Sequence, residues 1–144
     1  VYSQSIPSYA YLNTEVSQVS GPASTTDGQA NTTSLVSTFG SKAVAANYCS
    51  SLAVDAYGNT CTAGSQGCYT GWFLPAKQQL LCLYTHKVVF PAPTNSIWSS
   101  TFASSALNGS AYNWNAYTVN FSTGETSSVI STTSYPVFCT RSYS

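Results

Sequence analysis

The chain has 144 residues, enough for one ordinary domain and too few for two with separate cores. Only 6% are charged, four basic and four acidic, so the net charge is zero and the basic stripe of a nucleic-acid binder is missing. No apolar run approaches the ~18 residues of a membrane span, while 43 Ser and Thr carry solubility and 14% aromatics can fill a core.

Residues 1–40 alternate short apolar groups with Ser, Thr, Gln and Asn. With Gly21-Pro22 and Asp27-Gly28 as turn signals, they predict short strands and loops. Ser41 is a good N-cap, and Val44, Tyr48 and Leu52 recur at helical spacing beside Ala45 and Cys49. This first predicted helix ends at Gly58-Asn59 at the latest. A loop over about 57–71 holds Cys61 and Cys68. Pro75 then suits the start of a second helix, 76 to about 87, with Leu80, Leu83, Tyr84 and Lys87 on one face. His86 and Lys87 fall near its end, where positive charge suits the helix dipole, and Phe90-Pro91-Ala92-Pro93 blocks continuation.

The remainder reads as strands. Tyr112, Trp114 and Ala116 alternate with Asn113 and Asn115, and the apolar phase then slips by one to Tyr117, Val119 and Phe121, the pattern of a β-bulge. Ser122-Thr123-Gly124 predicts a hairpin turn, with 126–134 returning antiparallel. A last strand, 137–141, points Val137, Cys139 and Arg141 to one face and Phe138 and Thr140 to the other. Strands, two helices, then strands make an α+β domain over 1–144, with 1–40 as an N-terminal strand and loop region.

Five cysteines in a hydroxyl-rich chain predict an oxidising compartment, hence a secreted or cell-surface protein. A structural zinc site fails on spacing, because no C-x-x-C pair occurs and His86 is the single histidine. Cys61 and Cys68, in a loop rich in Gly, Ser and Thr, suit a local bridge, and the odd count leaves at least one thiol free or intermolecular. No basic segment followed by an apolar one opens the chain and methionine is absent, which reads as a mature product or an excised domain.

Catalysis has little to work with. The acidic residues nearest His86 in sequence are Asp55 and Glu125, and no G-x-S-x-G elbow occurs. A non-enzymatic role without cofactor is therefore expected. Trp114-Asn115-Ala116 lacks the carboxylate of a calcium-type W-N-D site, so no metal is expected either. Trp72, Trp98 and Trp114 read as core pillars.

Four ordered motifs carry a family resemblance. Gly71-Trp72-Phe73-Leu74-Pro75-Ala76-Lys77-Gln78-Gln79-Leu80 resembles a G-W-R-L-P-[ST]-x-x-E-L signature, and Ile97-Trp98-Ser99-Ser100-Thr101 resembles Y-W-S-S-T. Residues 117–124, with Asn120-Phe121-Ser122-Thr123-Gly124, and residues 135–141, with Pro136-Val137-Phe138-Cys139-Thr140-Arg141, resemble N-F-x-x-G and P-V-R-C-V-R elements. Together, over about 41–141, they are similar to the C-terminal domain family of the Legionella collagen-like adhesin (Lcl).

The resemblance implies a fold related to C-type-lectin-like and sulfatase-modifying-factor domains, with two helices packed on twisted antiparallel strands. It also implies a bridge between Cys49 and Cys139, which would leave Cys82 buried on the second helix. Ala76 and Gln79 replace the family's Ser/Thr and Glu, so no capping box is expected, and Phe73 and Phe138 stand where the family often has Arg. The implied function is an extracellular bacterial adhesin domain, a homotrimer that binds sulfated glycosaminoglycans or similar polyanionic glycans on host cells or matrix. The cations available for this are Lys42, Lys77, His86, Lys87 and Arg141. The alternative is a structural module that assembles and caps a trimeric collagen-like stalk. Neither nucleic acid nor membrane insertion is expected.

Overall fold

The computed structural model describes residues 7–86 and 95–142. In chain order these form β1 (Ser8–Ala10), α1 (Gly28–Phe39), a short 3-10 turn (Gly40–Lys42), α2 (Val44–Ser51), β2 (Trp72–Phe73) and α3 (Lys77–Thr85). The strands β3 (Ser96–Asn108), β4 (Ala111–Asn120), β5 (Thr126–Ile130), β6 (Ser134–Pro136) and β7 (Thr140–Arg141) follow. All pairings are antiparallel: β3-β4-β5 form the main sheet, β1 pairs with β6, and β2 pairs with β7. The class is α+β, with three α-helices among the described residues rather than the two expected.

The additional helix is α1, inside the stretch expected to hold only strands and loops. Asp27 caps its start by accepting from the Ala30 N–H at 2.9 Å, and Gly40, at φ 56°, ends it by donating its N–H to Val36 O. The buried face is half polar: Gly28, Asn31, Thr32 and Leu35. Asn31 Nδ2 donates to Ser24 O and Ser100 Oγ, while the Thr32 hydroxyl donates to Gly28 O and accepts from Leu74 N–H. These bonds offset the cost of burying polar groups. Gly28 is required by proximity, because a Cβ there would lie 2.5 Å from Leu74 O and 2.7 Å from Ala76 N.

The main sheet divides the core in two. Side chains alternate between faces along a strand, so Trp114 and Ala116 of β4, with Trp98 of β3, join a cluster containing Leu35, Ala45, Ala46, Cys49, Val137 and Cys139. Val119 of β4 and Ile97 of β3 join Leu80, Phe121 and Phe138 in a second cluster. The phase slip in β4 is therefore a change in the face that is covered. β4 holds a constant register against β5 from Asn115↔Ile130 to Val119↔Thr126. The irregularity lies in β3, between Trp98 and Ser104.

That irregular stretch is a polar hub. Ser99, Ser100 and Thr101 are all buried. Ser99 Oγ donates to Tyr117 O, Ser100 N–H to Pro75 O, and Thr101 Oγ1 donates to Ser24 O while accepting from Lys77 N–H. Tyr11, fully buried, donates its hydroxyl to Ser100 O at 2.8 Å. Burial pushes its ionisation well above the usual tyrosine range, because the phenolate would lose its hydration. Segment 7–31 is thus built into the core.

Several local expectations shift. Ser41 lies in the 3-10 turn, and α2 starts after Ala43 without a side-chain cap. Pro75 precedes the α3 N-cap, Ala76, instead of opening the helix. Alanine cannot supply the first half of a capping box, yet the second half forms: Gln79 Oε1 accepts from Ala76 N–H at 2.9 Å and from Gly28 N–H at 3.0 Å, joining α3 to α1. Lys87 and the Phe90-Pro91-Ala92-Pro93 block lie outside the described residues.

The turn after β4 closes with Gly124 N–H donating to Asn120 O, and β5 returns as far as Ile130. Residues 134–136 then leave the hairpin to pair with β1, and only 140–141 of the last predicted strand pair, with β2. The predicted alternation still holds there, since Val137 and Cys139 enter the first cluster and Phe138 the second.

Two disulfides staple the chain. Cys49 of α2 bridges Cys139 across 90 residues, the pairing implied by the resemblance, and Cys61 bridges Cys68 across 7. Cys82 is free but exposed, not buried. At 100° per residue it stands about 200° from the buried Leu80, on the solvent side of α3.

Candidate functional site

Arg141 has the most defined surroundings of the expected glycan-binding cations. It sits in β7 opposite Trp72 of β2. Its Nε donates to Thr70 O at 3.0 Å, and its guanidinium carbon lies 5.0 Å from the Tyr69 ring centroid and 6.0 Å from that of Trp72. Both distances are within cation–π range, so the side chain is held in place through Nε and the face of its guanidinium.

The aromatic seat is itself fixed. Tyr69 exchanges backbone bonds with Val54 at 2.8 and 3.2 Å, and Trp72 Nε1 donates to Tyr69 O. The Cys61–Cys68 bridge immediately precedes it. Beyond Val54, Asp55 Oδ1 accepts from the N–H groups of Tyr57 and Asn59, forming a turn that presents Tyr57 at 79% exposure. Tyr69 is 41% exposed. An exposed tyrosine gives stacking area at low entropic cost, because it has only two side-chain torsions to fix. The corner therefore offers a positioned cation against the partly exposed Tyr69 ring and the Trp72 ring.

The other cations are distributed. Lys77, at the start of α3, places Nζ 4.2 Å over the Tyr117 ring. His86 caps the far end of the same helix, about 13 Å away at 1.5 Å per residue, with Nδ1 2.9 Å from Cys82 O and 3.0 Å from Thr85 Oγ1. Lys42 follows the C-terminal end of α1, whose N-terminal end meets Ala76 and Gln79, so roughly one helix length separates Lys42 from Lys77. Lys87 lies outside the described residues. Within one chain these groups do not converge on one site, since Lys77 and His86 lie at opposite ends of α3, and among the described residues Arg141 is the cation set against two aromatic rings.

Sequence reasoning passed over Tyr57 and Tyr69. Their signals were present: Asp55-Ala56-Tyr57-Gly58-Asn59 is a turn sequence, and Tyr69 adjoins a cysteine in a polar loop. The three tryptophans are core residues, each at most 5% exposed. Phe73 and Phe138 are buried as well, which explains an apolar side chain at both positions. Among the described residues no helix is long and apolar enough to cross a membrane. No protein-family model, no curated protein and no solved structure matches the chain.

Proposed function

We propose that this chain is an extracellular bacterial adhesin domain, with a C-type-lectin-like fold, that captures sulfated polysaccharide and works as a homotrimer. The observation that carries the reading is the Arg141 corner, where a guanidinium stands over the rings of Tyr69 and Trp72 with the Tyr69 ring partly exposed. A sulfate accepts two parallel hydrogen bonds from one guanidinium, and a sugar ring packs on a tyrosine face. The two disulfides suit an oxidising, extracellular setting. The trimer and the polyanionic ligand class are what the resemblance of the four motifs to the adhesin family implies. With so few cations per chain, useful avidity has to come from repetition around an axis.

Retention on heparin across a salt series, against a neutral-glycan control, tests this. Retention that falls steeply with salt and is lost in Arg141→Ala supports the reading, because exposed ionic contacts are screened. Absence of retention by an assembled oligomer overturns it in favour of a stalk-capping module. The exposed Val19, Leu107 and Ile130 speak for that second reading, as side chains that subunit contacts would cover.

A further inference from the structure

A groove runs between the C-terminal half of α1 and the 15–22 segment, as two adjoining hollows of about 290 and 240 Å³ that share Gln18, Thr38 and Phe39. Glu15 and Lys42 line the first hollow and the edge of Trp114 the second. The floor is rigid: Phe39 stands edge-on to Trp114, with centroids 5.1 Å apart at 88°. One wall is pinned by Trp114 Nε1 donating to Gln18 O at 2.8 Å, and by Gly21, where a Cβ would meet the indole at 2.3 Å. The Glu15 carboxylate is anchored by Asn108 Nδ2 at 2.5 Å.

A half-buried ring, hydroxyl and amide walls, and one positioned carboxylate match an uncharged polyhydroxylated ligand. Glu15 and Lys42 together leave the first hollow without net charge, so this groove differs in chemistry from the cationic Arg141 corner. Each hollow lies just below the ~300 Å³ at which small-molecule pockets begin, which is the scale of a single sugar ring. We propose that the groove binds an uncharged disaccharide unit, one ring per hollow. Glu15 accepts from ring hydroxyls, Lys42 donates to them, and Phe39 packs against an apolar ring face. The inference does not depend on polyanion capture.

The test titrates the isotope-labelled full chain separately with maltose, lactose and diacetylchitobiose to about 50 mM, following backbone amides by NMR. At least one of the three is expected to shift the amides of Gln18, Thr38 and Phe39, undiminished by salt. Thr38→Trp, at an exposed position shared by both hollows, abolishes the shifts, and Glu15→Gln weakens binding roughly tenfold. Unchanged amide positions far from the groove verify that both variants fold. Silence with all three sugars, or shifts that persist in Thr38→Trp, overturns the proposal.

Discussion

Replacing Cys49 and Cys139 together by alanine opens a span of 90 residues, whereas replacing Cys61 and Cys68 opens one of 7. Loop-closure entropy in the unfolded chain scales with the logarithm of loop length, which gives about 4.6 kcal/mol for the long bridge and about 2.4 kcal/mol for the short one. Packing widens the gap. Cys49 is fully buried and Cys139 nearly so, so losing both sulfurs leaves small cavities in the first cluster, while the Cys61–Cys68 loop is largely exposed. The double variants should therefore differ by at least about 2 kcal/mol, with the Cys49/Cys139 variant the weaker. Equilibrium denaturation of the oxidised proteins, followed through the buried tryptophans, measures this. Equal losses, or a larger loss for the short loop, would refute the loop-closure argument.

Three further outcomes follow from the packing. Gly28→Ala should destabilise by about 1–3 kcal/mol through overpacking against Leu74 O, even though alanine gains ~1 kcal/mol in helix propensity; a stabilised variant in thermal melts would contradict the close approach. Thr140 Oγ1 is buried with no hydrogen-bond partner among the described residues, so Thr140→Val should stabilise by about 1 kcal/mol; lost stability in denaturant would mean the hydroxyl is paired. Tyr11 ionises above its unfolded value of about 10, so its contribution is complete below that pH and is lost as pH rises through it. In an ultraviolet titration Tyr11 should ionise only together with unfolding, and a normal titration in the folded protein would contradict its burial.

The parts legible in the sequence were those with apolar periodicity. Leu80, Leu83 and Tyr84 announced α3, and the alternation of Val137, Phe138 and Cys139 announced a segment with both faces covered. α1 stayed hidden because its buried face mixes Leu35 with Asn31 and Thr32, whose partners lie on Leu74 and Ser100, far away in sequence. The bulge was assigned to β4 because covering both sides of a sheet mimics a phase slip; the register of β3 depends on hydrogen bonds that no local pattern encodes. Cys82 could have been placed outside from its angle to Leu80 alone. Arg141 was legible as a cation, but its aromatic seat required the pairing of β2 with β7.

The 90-residue bridge also dictates an order of events during synthesis. Cys49 is followed by Cys61, Cys68 and Cys82 before its partner Cys139 emerges, so three incorrect thiols reach an oxidant first. The short Cys61–Cys68 ring closes locally and withdraws two of them, leaving Cys82 as the lasting competitor. Meanwhile Tyr9 must wait for Trp98, 89 residues on, and Gln18 for Trp114, 96 residues on, which places the domain among slow, high-contact-order folders. Its yield then depends on thiol–disulfide reshuffling over seconds to hours. The free Cys82 thiol is thus a built-in source of mispaired intermediates, which only thiol–disulfide exchange can return to the native pairing.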